Sequence, residues 1–160
     1  MKTITKKELI IGYIFAILLL LTTLSSTWFF LSELQVSILE WSVFNACAPS
    51  SYMYLICFVL FVAKKNYTAL PVTIVPMFFF GTMGLFVFSW SGQDIFAQIS
   101  HVIMTLNIIW ALYILLKTKN FKAIAIGLLV SILLFIPYIS FVQQYCRVNS
   151  DRVEQILQMK

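Results

Sequence analysis

Charge is what this sequence has least of. Asp, Glu, Lys and Arg make up only 11% of its 160 residues and hydrophobic residues 61%, where a soluble domain would carry roughly a quarter charged and under half apolar. That balance excludes a soluble globular domain. Lysine and arginine are missing altogether from Val36 to Ala63 and from Asn66 to Leu116. Histidine occurs once, as His101, so bis-histidine haem ligation is excluded, and His101 near Met104 lacks the methionine repeats of a copper path. The three cysteines, Cys47, Cys57 and Cys146, include no Cys-x-x-Cys and no zinc spacing. No Gly-rich phosphate loop, His-Glu-x-x-His or Gly-x-Ser-x-Gly occurs, and there is no internal repeat or low-complexity tract. No cofactor and no metal is expected.

What is present is apolar length. A membrane-crossing helix needs about 20 apolar residues, and the punctuation leaves five such segments, at about 9–31, 38–63, 69–90, 95–116 and 123–142. The fold expected is all-α: a single bundle of five transmembrane helices in one domain, with a short tail at 148–160. In the tail, Val153, Ile156 and Leu157 share one helical side, as in a short interfacial helix. An apolar run this long at the amino end exceeds a secretory h-region of about 7 to 15 residues, so it reads as a retained span.

The basic residues orient the bundle. Lys2, Lys6 and Lys7 precede the first segment, Lys64 and Lys65 close the second, and Lys117, Lys119 and Lys122 lie between the fourth and fifth. Positive charge resists translocation, so all three clusters belong on the cytoplasmic side, with the amino terminus inside and the carboxyl terminus outside. Trp28, Trp41, Trp90 and Tyr145 then gather at the outer ends, and Tyr13, Tyr67, Tyr113 and Phe121 at the inner ends, as interface-seeking rings should. Asn66-Tyr67-Thr68 matches a glycosylation acceptor but falls inside. The net charge of +5 is a topology signal that favours anionic lipids as neighbours; nucleic acid is not a partner. The location expected is the plasma or an inner membrane.

Small residues mark helix contacts: Ala123, Gly127 and Ser131 on the fifth span, Gly12 and Ala16 on the first, Gly81 and Gly84 on the third. Pro71 falls in a first turn. Pro49, Pro76 and Pro137 read as internal, each removing a backbone hydrogen bond, and Pro49 would leave the Asn45 carbonyl without a partner. Bent second and fifth helices would frame a cavity in the outer leaflet.

Polar residues concentrate in the outer half: Thr22, Ser25 and Ser26; Asn45, Cys47, Ser50 and Ser51; Gln98 and His101; Ser140, Gln143 and Gln144. Asp94, Gln98, His101 and Thr105 fall within about 60° of one another on a helix, with His101 about 10 Å below Asp94. An ionisable group at that depth is a functional candidate, since unpartnered polarity in lipid is costly. Asp94 also reads as a helix cap and His101 as a packed neutral imidazole. Three functions fit. The first is binding or transport of a lipid-like or amphipathic small molecule, with His101, Asp94, Gln98, Asn45 and Ser51 as polar contacts and Trp41, Trp90 and Tyr52 as walls. The second is a non-catalytic partner subunit, assembly factor or immunity-type protein, in contact with another membrane protein or with its own copies. The third is an intramembrane enzyme in which His101 is general acid or base, oriented by Asp94 or Glu40, on a lipid substrate. A Cys47–Cys146 bridge is also compatible with the spacing.

Overall fold

Where side chains are apolar over a long stretch, a helix is the backbone's way of meeting its own hydrogen-bonding needs, and among the described residues all regular structure is helical. The structure, a computed structural model, describes residues 3–92 and 94–158. Lys2, Gln93 and Lys160, and the side chain of Leu157, lie outside the described residues. The helices are α1 (Lys6–Trp28), α2 (Ile38–Phe44), α3 (Cys47–Lys64), α4 (Ala69–Val72), α5 (Ile74–Phe80), α6 (Asp94–Lys117), α7 (Phe121–Val148) and α8 (Ser150–Gln158). A π turn at Phe29–Glu33 extends α1, and a 3₁₀ turn at Thr82–Phe86 follows α5. Five stretches are long and apolar enough to cross a membrane: Lys6–Glu33, Cys47–Lys64, Ala69–Phe86, Asp94–Lys117 and Phe121–Val148.

Two of the expected spans are broken. The segment at 38–63 is interrupted at Asn45, which leaves helical geometry (φ −120°, ψ 45°) and separates the short α2 from α3. The segment at 69–90 is built from α4, α5 and the 3₁₀ turn. The prolines explain much of this. Pro49, Pro71 and Pro76 each occupy the third position of a helix, α3, α4 and α5 respectively, where the backbone N–H has no intrahelical acceptor in any case. They begin helices, and Pro49 and Pro76 do not kink them. The Asn45 carbonyl accepts from the Ala48 N–H at 2.8 Å, so it is not left without a partner. Pro137 alone lies inside a helix, α7.

Helix α1 packs on α6 and α3, and the main core forms between them and α5 from Leu19, Tyr54, Phe58, Met77, Met104 and Ile114, among others. Asn107 of α6 donates to the Phe15 carbonyl of α1 at 3.1 Å. Gly12 lets α1 lie directly on the Trp110 indole, whose ring occupies the space of a Cβ there. The small face of α7 is taken up within the chain: Gly127 sits against Pro71 and the Thr68 carbonyl, and Ser131 is fully buried.

Two glutamates fasten the ends. Thr5 and Glu8 form a capping box on α1, and Ser37 and Glu40 form another on α2, each satisfying two orphan N–H groups. In both, one carboxylate oxygen serves the cap and the other reaches a distant helix. Glu8 Oε1 accepts from Lys117 Nζ at 2.5 Å and from Tyr113 at 2.6 Å, while Trp110 Nε1 donates to the Glu8 carbonyl at 2.9 Å. That cluster lies at the lysine-bearing end. At the far end Glu40 Oε1 accepts from Arg152 Nε at 2.9 Å, holding α8 against α2.

Candidate functional site

The far end of the bundle contains a cavity of about 210 Å³. Its walls come from six helices and the turn before α6. Ser26 and Phe30 belong to α1 and its π turn, Val43 and Phe44 to α2, and Cys47 to α3. Ala97, Ser100 and His101 lie on α6 and Cys146 on α7; Asn45 and Phe88 complete the walls. Helix α8 covers it with Val153 and Ile156, the latter buried. A second pocket of about 20 Å³, room for one water molecule, adjoins it through shared Ser26, Asn45, Cys47 and Ser100, and reaches Thr22, Thr23 and Ser51. Among the described residues no carboxylate, lysine or arginine lines either pocket, and no three His, Cys, Asp or Glu side chains are grouped to hold a metal ion.

The break in the second segment builds this site. Because α2 ends at Asn45, the Asn45 side chain turns back to donate to Ser26 Oγ at 2.8 Å, and Cys47 becomes the first residue of α3. Cys47 Sγ lies 3.3 Å from His101 Nε2 and 3.2 Å from the Phe80 carbonyl. His101 is buried and tightly placed: its ring lies 5.2 Å from that of Phe88 at 30°. On another side it rests against Gly84, where a Cβ would come within 2.6 to 2.8 Å of Cε1 and both nitrogens. Glycine at 84 is therefore a requirement of the imidazole's position. The His101 carbonyl accepts from Thr105 Oγ1 at 2.8 Å.

The residues singled out from the sequence divide between the cavity and its supports. Asn45 and His101 line the main cavity, and Ser51 lines the smaller one while donating to the Cys47 carbonyl at 2.8 Å. Gln98, one turn from His101, is fully buried and donates to the Leu85 and Phe88 carbonyls. It ties the 3₁₀ segment to α6 and offers nothing to the cavity. Asp94 begins α6 and accepts from Ser89 Oγ at 2.9 Å. Trp41 packs on Tyr52, with ring centroids 6.4 Å apart, and Tyr52 hydroxyl meets Thr27 at 3.3 Å. Trp90 is exposed. Glu40 pairs with Arg152, Asp94 with Ser89, and His101 lies beside Cys47.

Arg152, followed by the Ser37 backbone N–H, holds the Glu40 carboxyl below its ordinary range. Cys47 and Cys146 line one cavity without forming a disulfide. The sequence reading missed Ser100 and the pairing of Cys47 with His101. It also missed both capping boxes, which the Thr5-x-x-Glu8 and Ser37-x-x-Glu40 spacings announce. In comparisons with known proteins the chain matches no family model, and no curated protein and no solved structure is found to be similar to it.

Proposed function

We propose that this chain is an integral membrane protein that binds a small, uncharged amphipathic molecule in the far-end cavity. The five apolar helices lie across the bilayer, the lysine-bearing end faces the cytoplasm and the cavity opens toward the outer leaflet. One observation carries the reading: the cavity is walled mainly by apolar side chains, with Ser26, Asn45, Ser100 and His101 as scattered polar contacts, the composition of a ligand pocket. With no charged group in the lining, the ligand is neutral where it is enclosed. The volume is below the roughly 300 Å³ at which pockets for drug-sized ligands begin and close to that of about seven liquid waters. The occupant is therefore a small molecule or one end of a longer lipid.

The competing reading is a non-catalytic subunit whose polar stripe on α6 meets another membrane protein; of the small residues Ala123, Gly127 and Ser131 that would support it, Gly127 and Ser131 are buried within the chain, which weighs for the binding reading.

Native mass spectrometry on protein released gently from its own membranes tests the proposal. Wild type should carry a small-molecule adduct, and Ala97→Trp, which fills the cavity, should lose it while keeping the wild-type thermal midpoint. An adduct retained unchanged by Ala97→Trp would place the ligand elsewhere and overturn the proposal.

A further inference from the structure

The cavity contains a pair of side chains that simple binding does not require. Cys47 Sγ and His101 Nε2 are 3.3 Å apart, within reach for proton transfer between a thiol and an imidazole, and both line the same wall of the cavity. Cys47 is also the first residue of the 18-residue α3, where the positive end of the helix dipole favours a developing thiolate. Neither of the other cysteines has this setting. Cys57 is buried midway along α3, about 15 Å further along the axis, and Cys146 lines the cavity from α7 without a histidine beside it among the hydrogen bonds of the site.

From this geometry we infer that Cys47 is a nucleophile, with His101 as its base, that accepts an acyl group from an ester-bearing amphipathic molecule held in the cavity. The inference rests on the binding proposal and deepens it by naming the ligand class. In the step, the Cys47 thiol proton, which is donated to the Phe80 carbonyl at 3.2 Å in the structure, turns to His101 Nε2 and passes to it, and the sulfur forms a bond to the ester carbonyl carbon. The tetrahedral adduct collapses by breaking the bond to the alcohol oxygen, which takes the proton back from His101. A thiol and an ester become a thioester and an alcohol, with no oxidant, reductant or net charge required. Ser26 Oγ accepts from the Asn45 amide at 2.8 Å, which leaves the Ser26 hydroxyl proton and the second amide proton of Asn45, in the same lining, for the carbonyl oxygen as it gains charge. His101 is held for this role from two sides, by Phe88 and by the bare backbone of Gly84.

The test uses the full chain in lipid nanodiscs with p-nitrophenyl hexanoate as probe. One equivalent of p-nitrophenol should be released in a burst, and peptide mapping should find a single hydroxylamine-labile hexanoyl group on Cys47. Cys57→Ala should acylate like wild type, Cys47→Ala should not acylate, and His101→Gln should react on the order of 100-fold more slowly. Selectivity in the wild type guards against a His101 variant that fails to fold, because Cys47 should acylate while Cys57 and Cys146 in the same protein do not. Acylation spread over all three cysteines would overturn the inference. So would absence of acylation from protein that still retains its native adduct, and in that case the binding proposal stands; absence of both would overturn the two together.

Discussion

If α8 is the cover of the cavity, the strength with which it is held can be worked out from what it touches, and apolar contact should outweigh the ion pair. Ile156 is 3% exposed. Replacing it with alanine removes three buried carbons at about 0.8 kcal/mol each, a loss of roughly 2 kcal/mol, or about 30-fold in the ratio of open to closed cover. The Arg152–Glu40 pair is partly exposed, with the arginine side chain at 42%, so solvent screening holds it to about 0.2–1 kcal/mol, at most about 5-fold. A nine-residue helix such as α8 has little stability apart from its docking, so both changes should appear as opening. The assay is the rate at which a water-soluble maleimide labels Cys47 in a Cys57→Ala, Cys146→Ala background. Ile156→Ala should speed labelling by about 30-fold and Arg152→Ala by no more than about 5-fold. Labelling at the starting rate in both, or a larger effect from Arg152→Ala, would refute the idea that α8 closes the cavity chiefly through its apolar face.

Three further outcomes follow from the same contacts. Because Glu40 is held below its ordinary range by Arg152, its contribution to docking α8 is complete above the free carboxyl's value and is lost as pH falls through the lowered one. Hydrogen exchange over 150–158, corrected for intrinsic rates, should stay flat from neutral pH down and rise only below about 4.3. Gly84→Leu forces a side chain onto the His101 ring, where even a Cβ comes within 2.6 Å. It should lower stability by about 1–3 kcal/mol in a denaturant titration and abolish the selective reactivity of Cys47. Glu8→Gln loosens the grip of α1 on Lys117 and Tyr113 and should lower the thermal midpoint more than Tyr113→Phe, which leaves the ion pair in place.

The sequence revealed different parts of this molecule to different depths, for physical reasons. Long apolar runs state their helices directly, because nothing else satisfies a backbone among apolar side chains, and all five runs appear as helical stretches. Prolines are less explicit. A proline is equally at home in the first turn of a helix and disruptive within it, so Pro49 and Pro76 could not by themselves announce that they begin α3 and α5. The polar stripe on α6 was visible as a stripe, yet its members have separate duties. Gln98 turns to the Leu85 and Phe88 carbonyls, which need a partner only because the chain there leaves α-helical geometry. Cys47 and His101 stand 54 residues apart, and their contact depends on how α3 and α6 are seated around α1 and α5, which no local pattern encodes. The small residues of α7 signalled a close contact correctly but not its partner, which is α4 through Pro71.

One labelling experiment tests the far-end cavity most directly. Intact cells expressing the protein are treated with a membrane-impermeant maleimide, and each cysteine is read by peptide mapping. A cavity open to the outer side with Cys47 in its wall predicts that Cys47 and Cys146 are labelled from outside while Cys57, buried in α3, reacts only after denaturation. Labelling of Cys47 and Cys146 that requires permeabilised cells, or a Cys57 that reacts as fast as Cys47, would contradict it.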